Sequence, residues 1–209
     1  MSTPSALHGP FSEPGQQQEA ARLGLWLFIA NELMLFGGLF MALTVYRIIH
    51  TETTRAASEH LHLWIGGANT AVLLTSSLTM VLAVLAARAG DVRTTVRMLL
   101  ATAAIGAVFL ALKGWEYRLE YDEGLMPGVG PVFPLGASQE LFFNFYFVST
   151  GLHAVHLALG IGAVLFFAAR LHRGRMDLPH RSTMIEGLGM YWHFVDVVWV
   201  FLYPVLYLI

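Results

Sequence analysis

Five long apolar spans constrain this chain more than any other feature of its sequence. A bilayer core about 30 Å thick requires about 20 helical residues, and a helix satisfies its own backbone hydrogen bonds in lipid. A membrane-spanning strand would need about 10 residues of strict alternation, which none of the spans has. We therefore predict an all-α membrane protein, a bundle of five transmembrane helices at about 22–48, 61–88, 94–118, 138–171 and 184–208.

The composition agrees with a membrane domain and excludes several classes of function. Of the 209 residues, 56% are hydrophobic and only 12% are charged, whereas about 25% are charged in an average soluble domain. The net charge of −2 offers no basic patch to nucleic acid. The chain has no cysteine, which excludes disulfides, thiolate metal sites and cysteine nucleophiles. We predict no catalytic residue and no metal site.

The segments outside the spans predict the domain organisation. Residues 1–21 are rich in Pro, Ser, Gly and Gln and lack the apolar core of a signal peptide, so we predict a flexible tail before a domain at 22–209. Residues 119–138 contain three prolines, and we predict a loop packed over helix ends rather than a helix.

The distribution of Arg and Lys predicts the orientation in the membrane. The N-terminal segment and the two connections on its side hold eight of these cations, and the opposite side holds four. Because cytoplasmic segments carry more Arg and Lys, we predict a cytoplasmic N-terminus and a periplasmic C-terminus. The chain is therefore predicted to cross the membrane several times with its termini on opposite sides.

Five titratable side chains are predicted to lie deep in the membrane: Glu32, His153, His156, His193 and Asp196. A carboxylate at mid-bilayer costs about 2.5–3.5 kcal/mol on insertion scales, so each needs a partner, a proton or water. Residues three apart share a helix face, which favours one polar network linking the first, fourth and fifth spans. Three interpretations stay open: mutual satisfaction that locks the bundle, proton handling, and ligation of a metal or haem.

Other polar groups are predicted to lie nearer the membrane surfaces. Glu116 and Tyr117, at the outer end of the third span, are typical of an interfacial anchor. The hydroxyl-rich stripe of the second span predicts hydrogen bonds between helices. Four arginines between the fourth and fifth spans either hold lipid phosphates or only signal topology: Arg170, Arg173, Arg175 and Arg181.

Motifs in all five predicted spans resemble those of one known family. The last span reads Tyr191-Trp192-His193-Phe194-Val195-Asp196-Val197-Val198-Trp199, and the fourth contains Thr150-Gly151-Leu152-His153-x-x-His156 with Gly160. The first three spans contain further matching residues in the same order as in that family: Trp26-x-Phe28, Glu32, Leu35-Phe36, Asn69-Thr70, Leu73-Leu74, Ser76-Ser77, Gly106, Phe109 and Glu116-Tyr117. From residue 22 to residue 209, the chain resembles subunit III of the haem-copper oxidases, the cytochrome c and quinol oxidases, in a short five-helix form.

The resemblance implies a role that composition does not. Subunit III carries no haem or copper and lies beside the catalytic subunit I, which holds these cofactors. Longer members have two additional helices before the one bearing the buried Glu. These two helices and the remaining five enclose a lipid-filled cleft between them. The family's buried Glu corresponds to Glu32, and its paired histidines to His153 and His156. The resemblance thus implies a non-catalytic subunit of an oxidoreductase complex in aerobic electron transport, with structural phospholipid and the other oxidase subunits as partners.

Two other functions stay open at this point. Short proteins resembling subunit III also accompany nitric oxide reductases, and the segment Ala111-Leu112-Lys113-Gly114-Trp115-Glu116-Tyr117 resembles that branch somewhat. A small proton-coupled transporter using Glu32 and Asp196 belongs to a different class. Transporters often show inverted repeats and broken helices, and neither is visible here.

Overall fold

The computed structural model describes residues 14–59, 61–128, 137–179 and 182–208. Within them the chain forms six helices and no strand. The helices are α1 (Pro14–Ile49), α2 (Thr51–Ser58), α3 (Leu63–Arg88), α4 (Val92–Asp122), α5 (Ala137–His172) and α6 (Ser182–Tyr207). Five of these, all except α2, are long and apolar enough to cross a membrane. The prediction of an all-α protein with five such helices is confirmed.

Two predicted boundaries were wrong. α1 begins at Pro14, so residues 14–21 are helical rather than part of a tail, while residues 1–13 lie outside the described residues. Proline is tolerated in the first turn of a helix, because the N–H it lacks would be unpaired there. α4 continues to Asp122, so residues 119–122 are not loop, and residues 129–136 of the predicted loop lie outside the described part.

The short helix α2 was missed by the sequence analysis. It carries Glu52 in its first turn, which favours a helix start, and it buries Thr54, Ala57 and Ser58. Eight residues are too few to give a periodic apolar pattern of their own. α2 packs against α5 and the end of α1, and so closes one end of the bundle.

The long helices α3, α4, α5 and α6 form a ring in which each packs on two neighbours, and α1 lies outside this ring against α5 and α6. We call the two ends of the bundle the N-face, where residues 22, 88–92, 172–179 and 182 lie, and the C-face, where residues 49–59, 61–63, 122–128 and 207 lie. The core contains the large side chains Trp192, Trp199, Tyr146 and Phe109, all with at most 2% exposure.

Asp91 begins α4 at the N-face, outside the membrane-spanning segments. One of its carboxylate oxygens accepts the Thr94 backbone N–H at 3.0 Å and the other accepts the Thr94 hydroxyl. These hydrogen bonds hold the pKa of Asp91 below its ordinary value. The cap satisfies a backbone donor that a helix start would otherwise leave unpaired.

Trp192 fills the centre of the ring of four helices, and two glycines leave space for its side chain. Its indole N–H donates to Ser76 Oγ at 3.0 Å. A Cβ atom added at Gly106 would lie 3.0 Å from the indole ring of Trp192, and one added at Gly160 would lie 3.2 Å from the same indole ring. The absence of these two side chains lets α4 and α5 approach the indole closely.

Replacing Gly160 by Val should therefore wedge α5 away from α6 and destabilise the protein by about 1–3 kcal/mol, the usual cost of overpacking. Gly162→Val is the matched control: it lies on the same helix, and nothing lies within 4 Å of a Cβ added there. The measurement is the thermal unfolding midpoint in detergent. Equal losses in both variants would contradict the packing argument.

Candidate functional site: a buried ionic cluster and a glutamate–histidine pair

A buried ionic cluster lies near the C-face, where α4, α5 and α6 meet. It consists of Lys113, Glu116, Glu120, Tyr146 and Tyr207, and we call it the Lys113 cluster. Lys113 is 2% exposed and both glutamates are 0% exposed. The three α4 residues share one helix face because they follow at intervals of three and four. Two carboxyl groups and an amine are therefore removed from both water and lipid.

The Lys113 ammonium is the centre of this cluster. Nζ donates to Glu116 Oε2 at 2.8 Å, to the Tyr146 hydroxyl at 2.8 Å and to the Tyr207 hydroxyl at 2.7 Å. It also lies 4.6 Å from the centroid of the Tyr146 ring and 5.3 Å from that of Trp199, within the range of a cation–π interaction. Three acceptors use all three hydrogens of an ammonium group.

The tyrosine hydroxyls pass these hydrogen bonds on to the carboxyl groups. Tyr207 donates to Glu116 Oε1 at 2.6 Å, and Tyr146 donates to Glu120 Oε1 at 2.5 Å. Glu120 Oε2, in contrast, has no hydrogen-bond partner within the described residues. The cluster therefore joins α4 to both α5 and α6 through one continuous set of hydrogen bonds.

The prediction that Glu116 and Tyr117 form an interfacial anchor must be corrected. Glu116 points into the bundle and is fully buried, whereas the adjacent Trp115 is 66% exposed. Successive residues on a helix differ by about 100° in direction, and here Trp115 is the one that faces outward. Tyr117 is also turned inward, and its hydroxyl lies 2.5 Å from Thr150 Oγ1.

A second polar unit joins α1 to α5. Glu32 Oε2 lies 2.9 Å from His156 Nε2, and His156 Nδ1 lies 2.8 Å from the Leu152 carbonyl oxygen. Because a carbonyl oxygen can only accept, Nδ1 carries a hydrogen. The contact between Nε2 and Glu32 then needs one further proton, on either the imidazole or the carboxyl group. The pair is electrically neutral in both cases, which makes it compatible with the membrane interior.

The other members of the predicted network are not joined to this pair by hydrogen bonds. His153 is 0% exposed, and its ring packs against Phe109 and Trp199 with centroids 5.6 and 5.2 Å away. Neither ring nitrogen of His153 has a hydrogen-bond partner within the described residues, and Asp196 faces Ser77 rather than the Glu32–His156 pair. Of the five predicted residues, Glu32 and His156 thus form one pair, and the other three are not hydrogen-bonded to it.

His193 lies toward the N-face, where its Nδ1 is 2.7 Å from Ser77 Oγ. It lines a cavity of about 500 Å³ between α1, α3 and α6. Arg22 and Arg88 line the same cavity, together with apolar side chains such as Trp26 and Leu85. Glu186 lines the cavity as well, and its Oε1 lies 2.8 Å from Arg88 Nε. The lining therefore contains an Arg88–Glu186 ion pair, Arg22 and mostly apolar side chains.

The hydroxyl stripe of α3 makes the predicted contacts between helices. Ser76 and Thr70 accept the indole N–H groups of Trp192 and Trp199 at 3.0 and 3.1 Å. Thr79 hydrogen-bonds to Thr102 of α4 at 2.8 Å. These contacts attach α3 to α6 and α4, and they confirm the predicted role of the stripe.

Three of the four arginines predicted to hold lipid phosphates lie at the N-face. Arg170, Arg173 and Arg175 are all exposed, and Arg181 lies outside the described residues. Within the described ranges, no group of three or more His, Asp or Glu side chains is arranged to hold a metal ion.

Sequence reasoning missed the Lys113 cluster as a unit. The spacing of Lys113, Glu116 and Glu120 was available, and intervals of three and four place them on one face. Their position near a span end favoured the membrane surface instead. Tyr146 and Tyr207, distant in sequence, carry no signal of their own, since tyrosine is common at membrane interfaces.

Comparison with known proteins gives one consistent result. The profile of the family cytochrome c oxidase subunit III matches residues 2–209. The cytochrome c oxidase subunit 3 of Thermostichus vulcanus is 33% identical over 90% of this chain and 86% of its own length. The probable quinol oxidase subunit 3 of Staphylococcus aureus (strain USA300) is 28% identical over 91% of this chain and 90% of its own. The haem-copper oxidase subunit I+III of Aeropyrum pernix is 28% identical over 97% of this chain, which spans 24% of that longer protein.

Replacing Lys113 by Met should leave Glu116 as a buried, uncompensated charge and cost about 3–5 kcal/mol of stability. The thermal unfolding midpoint in detergent measures this loss, and the double variant Lys113→Met/Glu116→Gln should recover part of it. Arg118→Met is the control on the same helix, because the Arg118–Asp122 pair is exposed, with side-chain exposures of 76% and 57%, and such pairs contribute little. A Lys113→Met variant no less stable than Arg118→Met would contradict the role given to the cluster.

Proposed function

Because the chain belongs to the cytochrome c oxidase subunit III family, whose members are subunits of the haem-copper oxidases, we propose that it stabilises the catalytic subunit of a terminal oxidase. We also propose that it adjusts the lipid, oxygen and proton surroundings of that subunit. The match along nearly the whole chain carries the proposal. Under this proposal the chain itself binds no haem or copper, and subunit I holds these cofactors.

The places occupied by the motif residues support a structural role. Trp192 and Trp199 donate hydrogen bonds to α3, Glu32 joins α1 to α5, and Glu116 of α4 accepts a hydrogen bond from Tyr207 of α6. Each of these polar side chains is thus occupied in holding helices together. Such a bundle fits a rigid neighbour of the catalytic subunit better than a site that binds and transforms a substrate.

The exposed face of α1 supports contact with another membrane subunit or with lipid. Met34 is 82% exposed and Met41 is 71% exposed, although both lie within the membrane-spanning part of α1. The relative named as subunit I+III contains both subunits in one chain, which favours a catalytic subunit I as the partner. We therefore place subunit I, the other oxidase subunits and membrane lipid around this bundle.

We also propose that the N-face is cytoplasmic and the C-face periplasmic, in a bacterial cytoplasmic membrane. The sequence places eight Arg or Lys residues on the N-face side and four on the other. One of these four, Lys113, is buried inside the bundle. The difference in cations at the membrane surfaces is therefore larger than the sequence count, which strengthens the argument from charge.

Phospholipid is the ligand that we propose for the N-face. The cavity there places Arg22 beside apolar walls, next to an Arg88 that is paired with Glu186. An arginine beside apolar walls suits an anionic headgroup followed by acyl chains. Arg170, Arg173 and Arg175 are exposed on the same face. Clustered arginines at a cytoplasmic surface attract anionic lipid headgroups.

Purification of the tagged chain in mild detergent tests the proposed function. We expect the subunits of a haem-copper oxidase to co-purify, with a reduced haem band in the visible spectrum and subunit I among the identified peptides. A nitric oxide reductase as partner would instead assign the chain to that complex, an alternative that the Lys113 segment favours by its resemblance. A colourless chain without partners would contradict both the oxidase and the nitric oxide reductase assignments and would favour the proton-coupled transporter.

Glu32→Ala should weaken the complex or its sustained turnover, because α1 loses a polar attachment to α5. No haem band should be lost, since this residue is not proposed to hold a cofactor. Steady-state oxygen consumption and the visible spectrum of the purified complex measure the two effects. The control is Glu52→Ala, which removes an exposed carboxylate from α2. Loss of a haem band in Glu32→Ala alone would contradict the proposed role.

A further inference from the structure

The charges of the Lys113 cluster do not balance if every group in it is ionised. The cluster contains one amine, on Lys113, and two carboxyl groups, on Glu116 and Glu120, all between 0% and 2% exposed. Full ionisation would leave a net charge of −1 inside a membrane-spanning bundle. An uncompensated charge in a low-dielectric interior is normally removed by a change of protonation. One proton must therefore be added to balance the cluster.

Hydrogen-bond geometry excludes two of the three groups as its position. Lys113 donates to three acceptors, which requires the ammonium form. Glu116 accepts from Lys113 through Oε2 and from Tyr207 through Oε1. Because both of its oxygens accept, Glu116 is an ionised carboxylate. Lys113 and Glu116 thus neutralise each other.

Glu120 is the remaining group, and its two oxygens differ. Oε1 accepts the hydroxyl hydrogen of Tyr146 at 2.5 Å, as a carbonyl oxygen of a neutral acid would do. Oε2 is buried without a hydrogen-bond partner in the described structure. The charged or titratable groups that face Glu120 are Lys113, Glu116, Tyr117 and Glu123 on α4, Tyr146 on α5 and Tyr207 on α6. The only cation among them is already neutralised by Glu116.

We propose that Glu120 is a proton-binding site, and that its Oε2 holds a proton at neutral pH that makes the Lys113 cluster electrically neutral. Glu120 precedes Asp122, the last residue of α4, by two positions, which is about 3 Å of helix rise. The exposed Glu123 follows at the C-face. The proton is therefore exchanged with water at the C-face. This inference concerns the chain itself and does not depend on which complex contains it.

Infrared difference spectroscopy on the full-length chain, purified with the subunits that accompany it, tests the proposal. The wild-type spectrum minus that of Glu120→Gln at pH 7 should contain the C=O stretch of a protonated carboxylic acid, and this band should shift in D₂O. The control Glu123→Gln removes an exposed carboxylate from the same helix end, so its difference spectrum should show carboxylate bands only. Carboxylate bands without an acid band in the Glu120→Gln difference would overturn the proposal.

Stability gives a second measurement on the same variants. Glutamine reproduces the shape and the carbonyl acceptor of a neutral glutamic acid, so Glu120→Gln should leave the thermal midpoint at pH 7 unchanged. Glu116→Gln should lower it, because Lys113 then loses its counter-charge. A Glu120→Gln variant that loses as much stability as Glu116→Gln, or that fails to fold while Glu123→Gln folds, would show that Glu120 is ionised and would overturn the proposal.

Discussion

A single buried ammonium group, that of Lys113, determines how the C-face half of the bundle is assembled. An ammonium group inside a membrane must be surrounded by acceptors, because lipid provides none. These acceptors come from α4 itself through Glu116, from α5 through Tyr146 and from α6 through Tyr207. The rotation of α4 about its axis is therefore set by charge, and the last residue of α6 is held in place by the same group. Trp199 adjoins the cluster, with its ring centroid 5.3 Å from Lys113 Nζ, and Phe109 packs edge-on against Trp199 with ring centroids 4.8 Å apart.

The N-face half of the bundle is held by a different kind of interaction. Trp192 lies between Gly106 and Gly160 and donates its indole N–H to Ser76. Association of helices in lipid depends on close packing and hydrogen bonds rather than on the hydrophobic effect. A large ring between two glycines provides the first of these, and the serine provides the second. Ionic bonds at one end and shape complementarity at the other thus stabilise one continuous ring of four helices.

The parts of this fold that could be predicted are those that depend on the membrane alone. The five apolar helices and the hydrogen-bonding stripe of α3 follow from span length and local polarity. The pairing of Glu32 with His156 rather than with Asp196 could not be derived, because it depends on which face of α1 meets α5. Glu116 was placed at the surface for a related reason: its burial depends on Tyr146 and Tyr207, which are distant in sequence. Helix contacts fixed by single side chains leave no periodic signal along the chain.

α1 is attached to the bundle on one side. It lies outside the ring of four helices, and within the described residues its contacts are with α2, α5 and α6. Glu32 and Phe36, both buried, make this contact with His156 and Phe194. Their pairing turns the opposite face of α1 outward, including the amide of Asn31, which is exposed. A polar amide facing lipid is unfavourable unless another helix offers it a partner. The interaction that fixes α1 on its own bundle therefore also determines which face of α1 stays exposed.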